Sequence, residues 1–265
     1  MTKSVISPAQ REFISSQKKR RQRIILCQLL IMVLFAVFWE AGAALGAVDA
    51  FIFSSPSRVA ACLMSMASDG SLFLHTGVTL AETLISFAMV VAGSLAAALA
   101  LWALPTVSQV LEPYLVILNS LPKSALAPLL IVWLGSSPKT IVAAAVSVAI
   151  FGSVITLHNG FLQTDPEQIK LIYSLGGKKQ DVLRKLLLPS SVPLIISSMK
   201  VNIGLCLVGV IIGEFLAADA GLGYLIIYSS QTFRMTIMIA SILVLCAISA
   251  ALYRGITAVE KRFER

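Results

Sequence analysis

Charge is what this 265-residue chain has least of: Asp, Glu, Lys and Arg together make up 13% of it, about half of the roughly 25% found in soluble domains. Hydrophobic residues make up 57% and the mean hydropathy is +0.89. One water-soluble core of this size does not bury so much apolar surface, so the natural solvent is a bilayer, with room for about six spans of roughly 20 residues. A recognisable catalytic constellation is also missing. The sequence has no glycine loop ending in Gly-Lys-Ser/Thr, no His-Glu-x-x-His and no clustered metal ligands. An energy-coupled role therefore requires ATP hydrolysis in another chain. The four cysteines (Cys27, Cys62, Cys206, Cys246) are scattered, which excludes a disulfide framework or redox motif. The two histidines, His75 and His158, stand far apart and read as packed or solvated polar side chains. No row of carboxylates suits a proton relay, which weighs against a proton-coupled carrier.

The charge that is present is placed unevenly. The net charge of +8 gathers in Lys18 to Arg23, Lys178 to Lys185 and Arg254 to Arg265, with hydrophobic runs between. That is the pattern of cytoplasmic loops under the positive-inside rule, and it argues against nucleic-acid binding.

Residues 1–23 read as a cytoplasmic basic N-terminus and 24–265 as a single transmembrane domain. The first span, Ile24 to Leu45, is too long for a signal peptide, and Trp39 and Glu40 fall where a cleavage site stays small and neutral. Ala47 to Gly70 is a less apolar connector containing a short amphipathic helix, Arg58 to Ala67. The second span, Thr76 to Leu104, is rich in small residues that let helices approach. The third, Val107 to Leu134, is interrupted by Pro113, Pro122 and Pro128. Prolines free carbonyls that must find partners within protein, so it faces other helices or a water-filled path. The fourth, fifth and sixth spans are Thr140 to Phe161, Val192 to Leu216 and Met235 to Ile256. This is an all-α polytopic protein of about six transmembrane helices, with both termini and the Asp165–Pro189 loop inside.

That loop breaks the hydrophobic pattern. Asp165 supplies an N-cap, Pro166 a first-turn proline and Glu167 a charge favourable to the helix dipole. Gly176-Gly177 ends or bends this helix, Lys178 to Leu188 resumes it, and Pro189 terminates it before the fifth span. Two short amphipathic helices about a glycine turn form a docking element. Ionisable residues within apolar runs are default functional candidates: Glu40, Glu82, Glu112, Lys123 and Glu214. Glu40 and Glu82 are expected to reach the interface, and Lys123, beside Pro122, to cap carbonyls freed in the third span. Glu214, between the small residues Gly213 and Ala217, suits an ion pair, an interhelical hydrogen bond or a solute contact.

Gly176, followed after nine residues by Leu186-Leu187-Leu188-Pro189, and Ser174-Leu175-Gly176 resemble the coupling loop of bacterial ABC-importer permeases. Lys170-Leu171-Ile172 stand where that family has Glu-Ala-Ala. Phe38-Trp39-Glu40, Ser54 to Val59, Leu121-Pro122-Lys123 and Ala127 to Gly135 are similar to the nitrate/sulfonate/taurine group of these binding-protein-dependent inner-membrane components. So is the run Gly213-Glu214-Phe215-Leu216-Ala217-Ala218, then Gly221 to Ile226.

The resemblance implies a MetI-like type I permease fold, two permease subunits that are usually identical, two cytoplasmic ATPase subunits and one extracytoplasmic solute-binding protein. ATP and magnesium would be bound by the ATPase, with no cofactor in this chain and no enzyme activity of its own. It implies that Lys170, Ser174, Leu175, Gly176, Val182, Leu183, Leu186, Leu188 and Pro189 form the ATPase-coupling loop, with Leu175, Val182, Leu183 and Leu186 in the buried contact. Pro122, Lys123, Pro128 and Glu214 are candidates for the translocation path or helix packing. Gly221, Gly223 and Tyr224 are placed in an extracytoplasmic loop near the pore mouth, where the two glycines equally suit a plain turn. The expected solute is small and polar or anionic (nitrate, sulfonate or taurine type). A thiamine pyrimidine precursor, an aromatic acid or a secondary carrier stand as alternatives.

Overall fold

The computed structural model describes residues 8–263; residues 1–7 of the expected basic N-terminus, and residues 264–265, lie outside them. Two compact units are present, Met1–Cys62 and Leu63–Arg265. The first holds α1 (Pro8–Ala44) and α2 (Ala50–Phe53), with α3 (Pro56–Ser68) running across the boundary. α1 begins well before the expected span and carries the basic segment in the same helix. Its apolar stretch is exposed all round, from Leu26 and Ile31 to Phe35 and Phe38, as suits a lipid-facing helix. At its end the Glu40 carboxylate accepts from the Ser57 N–H at 2.9 Å and the Ser57 hydroxyl at 2.7 Å, and Trp39 Nε1 donates to the Phe53 carbonyl at 3.2 Å.

The second unit contains α4 (Ser71–Ala103), α5 (Pro105–Ser120), α6 (Lys123–Leu134), α7 (Pro138–Leu162), α8 (Pro166–Ser174), α9 (Lys179–Val182), α10 (Leu188–Ala217), α11 (Leu222–Gln231) and α12 (Met235–Phe263). Just before α4, the exposed Asp69 accepts from Ser71, whose hydroxyl and N–H (2.8 Å) hold the carboxyl below the usual aspartate range. The core is α4, α7 and α10. Along α4 and α7, Val90 packs with Ala149, Ser94 Oγ accepts from Ser153 Oγ at 2.8 Å, and Ala98 packs with Leu157. Numbers rise together, so these neighbours are parallel. Adjacent parallel helices in a bilayer require the chain between them to cross back. α5 and α6, bent by 93° at the break between them, supply that return as one broken span. Among the described residues, five helices are individually long and apolar enough to cross a membrane, six with the bent pair taken as one span.

α10 runs the other way: Gly209 meets Ala145 and Gly213 meets Ile141. Both glycines are needed, because a Cβ at Gly209 would lie 2.5 Å from Ala145 Cα and one at Gly213 2.9 Å from Ile141 Cα. The small-x-x-x-small spacing lets the two backbones touch. Farther along, Asn202 Nδ2 donates to Ser153 Oγ at 2.8 Å, tying α4, α7 and α10 through hydroxyls that have no water to bond in a bilayer.

The expected stop at Pro189 is not found. α9, a π-turn over Leu183–Leu187 and α10 form one helical path, which from Lys179 to Ala217 is a single stretch apolar enough to span. The Leu188 N–H bonds to the Leu183 carbonyl, and a turn this wide makes room for a proline ring that would clash with the i−4 carbonyl of a regular helix. Pro189 thus sits in the first turn of α10 rather than after a helix. Pro113 and Pro128 likewise lie inside α5 and α6. Of the three expected interruptions, only the one at Pro122 breaks the span.

Candidate functional site

Two regions carry the polar chemistry of the second unit. One is the charged segment between α7 and α10. Asp165 caps α8 by accepting from the Glu167 N–H at 2.9 Å, and Gly176, at φ +81°, makes the turn that a side chain would strain. Asp181 closes the next turn by accepting from the Lys178 N–H at 2.9 Å and pairs with Lys185 at 2.8 Å. Lys170, Ser174, Leu175, Gly176 and Pro189 are exposed, and Leu183, Leu186 and Leu188 are half-buried. Val182 is fully buried within the chain and is therefore a core anchor, not part of an open contact surface. Its place is taken by Leu171, which with Leu175 (79% exposed), one turn along the same side of α8, forms an apolar face without a partner among the described residues; Tyr173 is exposed on the other side of the helix.

The second region is the start of α11, a helix that sequence reading leaves as a connector. The first N–H groups of a helix have no partner within it, and α11 has no side-chain cap of its own. Side chains from two other helices take that role. His75 Nδ1 on α4 accepts from the Gly221 N–H at 3.0 Å, Thr79 Oγ1, one turn along, from the Leu222 N–H at 2.8 Å, and Glu214 Oε2 on α10 from the Gly223 N–H at 2.5 Å. Thr79 Oγ1 in turn donates to Glu214 Oε1 at 2.7 Å, so one threonine joins all three helices. Gly221 and Gly223 are required by this approach: a Cβ at either would press on the Glu214 carboxylate, at 2.5 Å and 2.7 Å from its oxygens. Tyr224 stacks on His75 with ring centroids 6.1 Å apart.

Glu214 is 1% exposed and takes the interhelical hydrogen bond among the roles its sequence context suits. Glu82 does not reach an interface. It is 5% exposed and stands beside Glu214, because one turn separates it from Thr79 on the same face of α4, and its Oε2 has no hydrogen-bond partner among the described residues. It also lines a cavity of about 690 Å³ between α4 and α7, with Met89, Val146 and Ile150. Lys123 does cap the bend: its Nζ donates to the Leu118 carbonyl at 2.9 Å and to that of Asn119. Pro122 and Pro128 are exposed and are not brought into the clasp. His158 pairs with Ser108 at 2.7 Å. Among the described residues, no group of three His, Cys, Asp or Glu side chains is placed to hold a metal ion. Thr79 escapes sequence reading, because a threonine in an apolar run carries no pattern, and His75, read as a packed or solvated polar side chain, is not recognised as a cap. The retrievable signal is their spacing of four, which puts both on one helix face.

Residues 89–265 match the family described as "binding-protein-dependent transport system inner membrane component". A probable ABC transporter permease protein of Haemophilus influenzae is 30% identical over 239 residues, covering 90% of this chain and 97% of that protein. The formylaminopyrimidine transport permease protein of Halalkalibacterium halodurans is 29% identical over 74% of this chain and 77% of its own length. The taurine transport system permease protein of Escherichia coli is 24% identical, over 88% and 86%. In fold, the chain is similar to one from the inward-facing MetNI methionine ABC transporter, with a TM-score of 0.64 at 16% identity, covering 72% of this chain and 95% of that one.

Proposed function

The chain belongs to the binding-protein-dependent inner-membrane component family of ABC-importer permeases, and from that premise we propose that it forms the translocation path of an ATP-driven importer for a small polar solute. Two copies would pair with two ATPase subunits, which bind ATP and magnesium, and with one extracytoplasmic solute-binding protein. Both termini and the α8–α9 segment would face the cytoplasm.

The observation that carries this reading is the exposed apolar face of Leu171 and Leu175 on the amphipathic α8 and its turn. Two large apolar side chains held outward on one side of the helix beside a charged turn suit a groove on a partner protein. The partner is the ATPase because the chain, past the Gly176 turn, leads from Lys179 without a break into α10, the helix most closely packed against α7. Lys170, Ser174, Leu183, Leu186 and Leu188 would flank that contact. The test is co-purification of this chain with its ATP-binding subunit. Leu175→Arg and Gly176→Val should abolish it while the permease remains folded. Ion-gradient-driven uptake by this chain alone in liposomes would refute the reading in favour of a secondary carrier.

For the solute, the resemblance to the nitrate/sulfonate/taurine group supports a small anionic or zwitterionic molecule. A pyrimidine precursor is the second reading, favoured by the higher identity to the formylaminopyrimidine permease than to the taurine permease. Binding by the partner solute-binding protein, screened across taurine, alkanesulfonates, nitrate and aminopyrimidines, separates the two.

A further inference from the structure

α11 has a helix start that it does not cap itself. Three successive N–H groups, those of Gly221, Leu222 and Gly223, are each taken by a side chain from α4 or α10. The glycine at its N-cap offers no side chain and is a weaker cap than serine, aspartate or asparagine would be. The capping of α11 is thus conditional on α4 and α10 lying side by side at this level, while its apolar side, with Leu222, Leu225 and Ile226, packs against Leu207 of α10 and Leu245 of α12. The accepted distances run from 2.5 to 3.0 Å, and hydrogen bonds of this kind are lost when the atoms part by about 1 Å. Because Thr79 both accepts from Leu222 and donates to Glu214, separating α4 from α10 breaks the cap at two points at once. α11 has no side-chain cap of its own to replace it.

Glu214 also stands at a particular place on its helix. The helical path that begins at Lys179, beside the exposed apolar face, runs to Ala217. At 1.5 Å per residue, Glu214 is about 50 Å from that start. One element therefore connects the proposed ATPase contact to the clasp on α11.

We propose that Thr79 and Glu214 are positioning residues of the transport cycle: they hold α11 docked in the resting state and release it when a push on the α9 end shifts α10 against α4. The proposal rests on the importer reading above, and it adds which residues register the arrival of the stroke at the far end of the protein. A buried carboxylate framed by two glycines is then explained as a switchable acceptor rather than as packing.

The test uses the assembled importer, this chain with its ATPase, in lipid nanodiscs, with Thr79→Val, Glu214→Gln and the conservative Thr79→Ser. Amide hydrogen exchange reads the clasp. In Thr79→Val and Glu214→Gln the peptide spanning Gly221 to Gln231 should exchange at least tenfold faster, with α7 peptides unchanged and Thr79→Ser close to wild type. ATP hydrolysis reads the cycle. The wild-type rate should depend on added solute-binding protein, and in the two clasp variants the rate without that protein should rise several-fold. Faster exchange of α11 with an unchanged dependence on binding protein overturns the proposal and makes the clasp structural only. Unchanged exchange overturns it too. If either variant exchanges fast throughout α7, it has lost its fold, and the other variant, together with rescue by Thr79→Ser, decides the matter. Failure of the wild-type chain to bind any ATPase would instead refute the importer reading, so the two failures are separable.

Discussion

Replacing Gly209 by alanine adds one methyl group at the closest approach of α10 to α7. The new Cβ would lie 2.5 Å from Ala145 Cα and 3.2 Å from both its Cβ and its carbonyl oxygen, whereas carbon atoms rest about 3.5–4.0 Å apart. The obstacle is backbone, so no rotamer change relieves it, and α10 must retreat by about 1 Å. Overpacking of this kind costs about 1–3 kcal/mol, and at roughly 2–4 °C per kcal/mol for a chain of this size the unfolding midpoint should fall by roughly 2–12 °C. Gly204, in the same helix, has nothing within 4 Å of a built Cβ, and alanine there should leave the midpoint unchanged or raise it by the about 0.4–1 kcal/mol that a lost glycine contributes. The double change Gly209→Ala/Gly213→Ala should cost less than the sum, because one retreat clears both Ala145 and Ile141. Thermal unfolding of the purified protein in lipid nanodiscs, followed by tryptophan fluorescence, checks all three. Equal midpoints for Gly209→Ala and Gly204→Ala would refute the claim that backbone contact sets the α7–α10 spacing.

Within the charged segment, burial separates fold from docking. Leu187, 0% exposed and packed with Leu157 and Phe161, should cost about 2–5 kcal/mol as alanine, whereas Leu175→Ser, at 79% exposure, should change the midpoint by less than about 0.5 kcal/mol yet weaken ATPase co-purification. Before α4, Asp69 has its carboxyl held below the usual range by Ser71. The support it gives the helix start is present above the ordinary aspartate range and is lost as pH falls through the lowered value. Exchange protection of the Ser71 amide should drop with acid in the wild type and be flat with pH in Asp69→Ala after correction for intrinsic rates.

Hydrophobic run length located every long helix here, because a bilayer span demands some twenty apolar residues whatever their neighbours do. Turn chemistry was legible wherever it is local: Asp165-Pro166 starts α8, Gly176 ends its turn at φ +81°, and Pro122 marks the 93° bend. What sequence hid depends on which helices touch. Glu82 looked like an interfacial carboxylate and is buried because Thr79 and Glu82 face α10. α11 was invisible as a helix because its cap is supplied by His75, Thr79 and Glu214, as much as 146 residues away in the chain. Pro189 misled for the opposite reason. A proline normally closes a helix, and only the unpatterned widening of Leu183–Leu187 lets this one pass.

That widening can be tested directly. Val182 and Leu187 are both fully buried. Five residues of regular α-helix would set them about 140° apart, whereas i→i+5 bonding brings residues at that spacing back over one another. The π-turn therefore holds one extra residue, and removing the exposed Arg184 should convert it to regular helix with Val182 and Leu187 now four apart and still on one face. A regular turn would meet the Pro189 ring, at a cost of about 3 kcal/mol. The prediction is therefore that the Arg184 deletion combined with Pro189→Ala folds and binds the ATPase with a midpoint within a few degrees of wild type, and that the deletion alone unfolds at a lower temperature. Deleting the exposed Val201 instead turns the N-terminal part of the helix by about 100° against the C-terminal part, pulling Val182 and Ser198 out of register with Gly209, and should abolish assembly. Size-exclusion profiles and unfolding midpoints of the two deletions decide it. If removing Arg184 in the Pro189→Ala background is as destructive as removing Val201, the turn is not an inserted residue, and the continuous path from Lys179 to Glu214 does not act as a single lever.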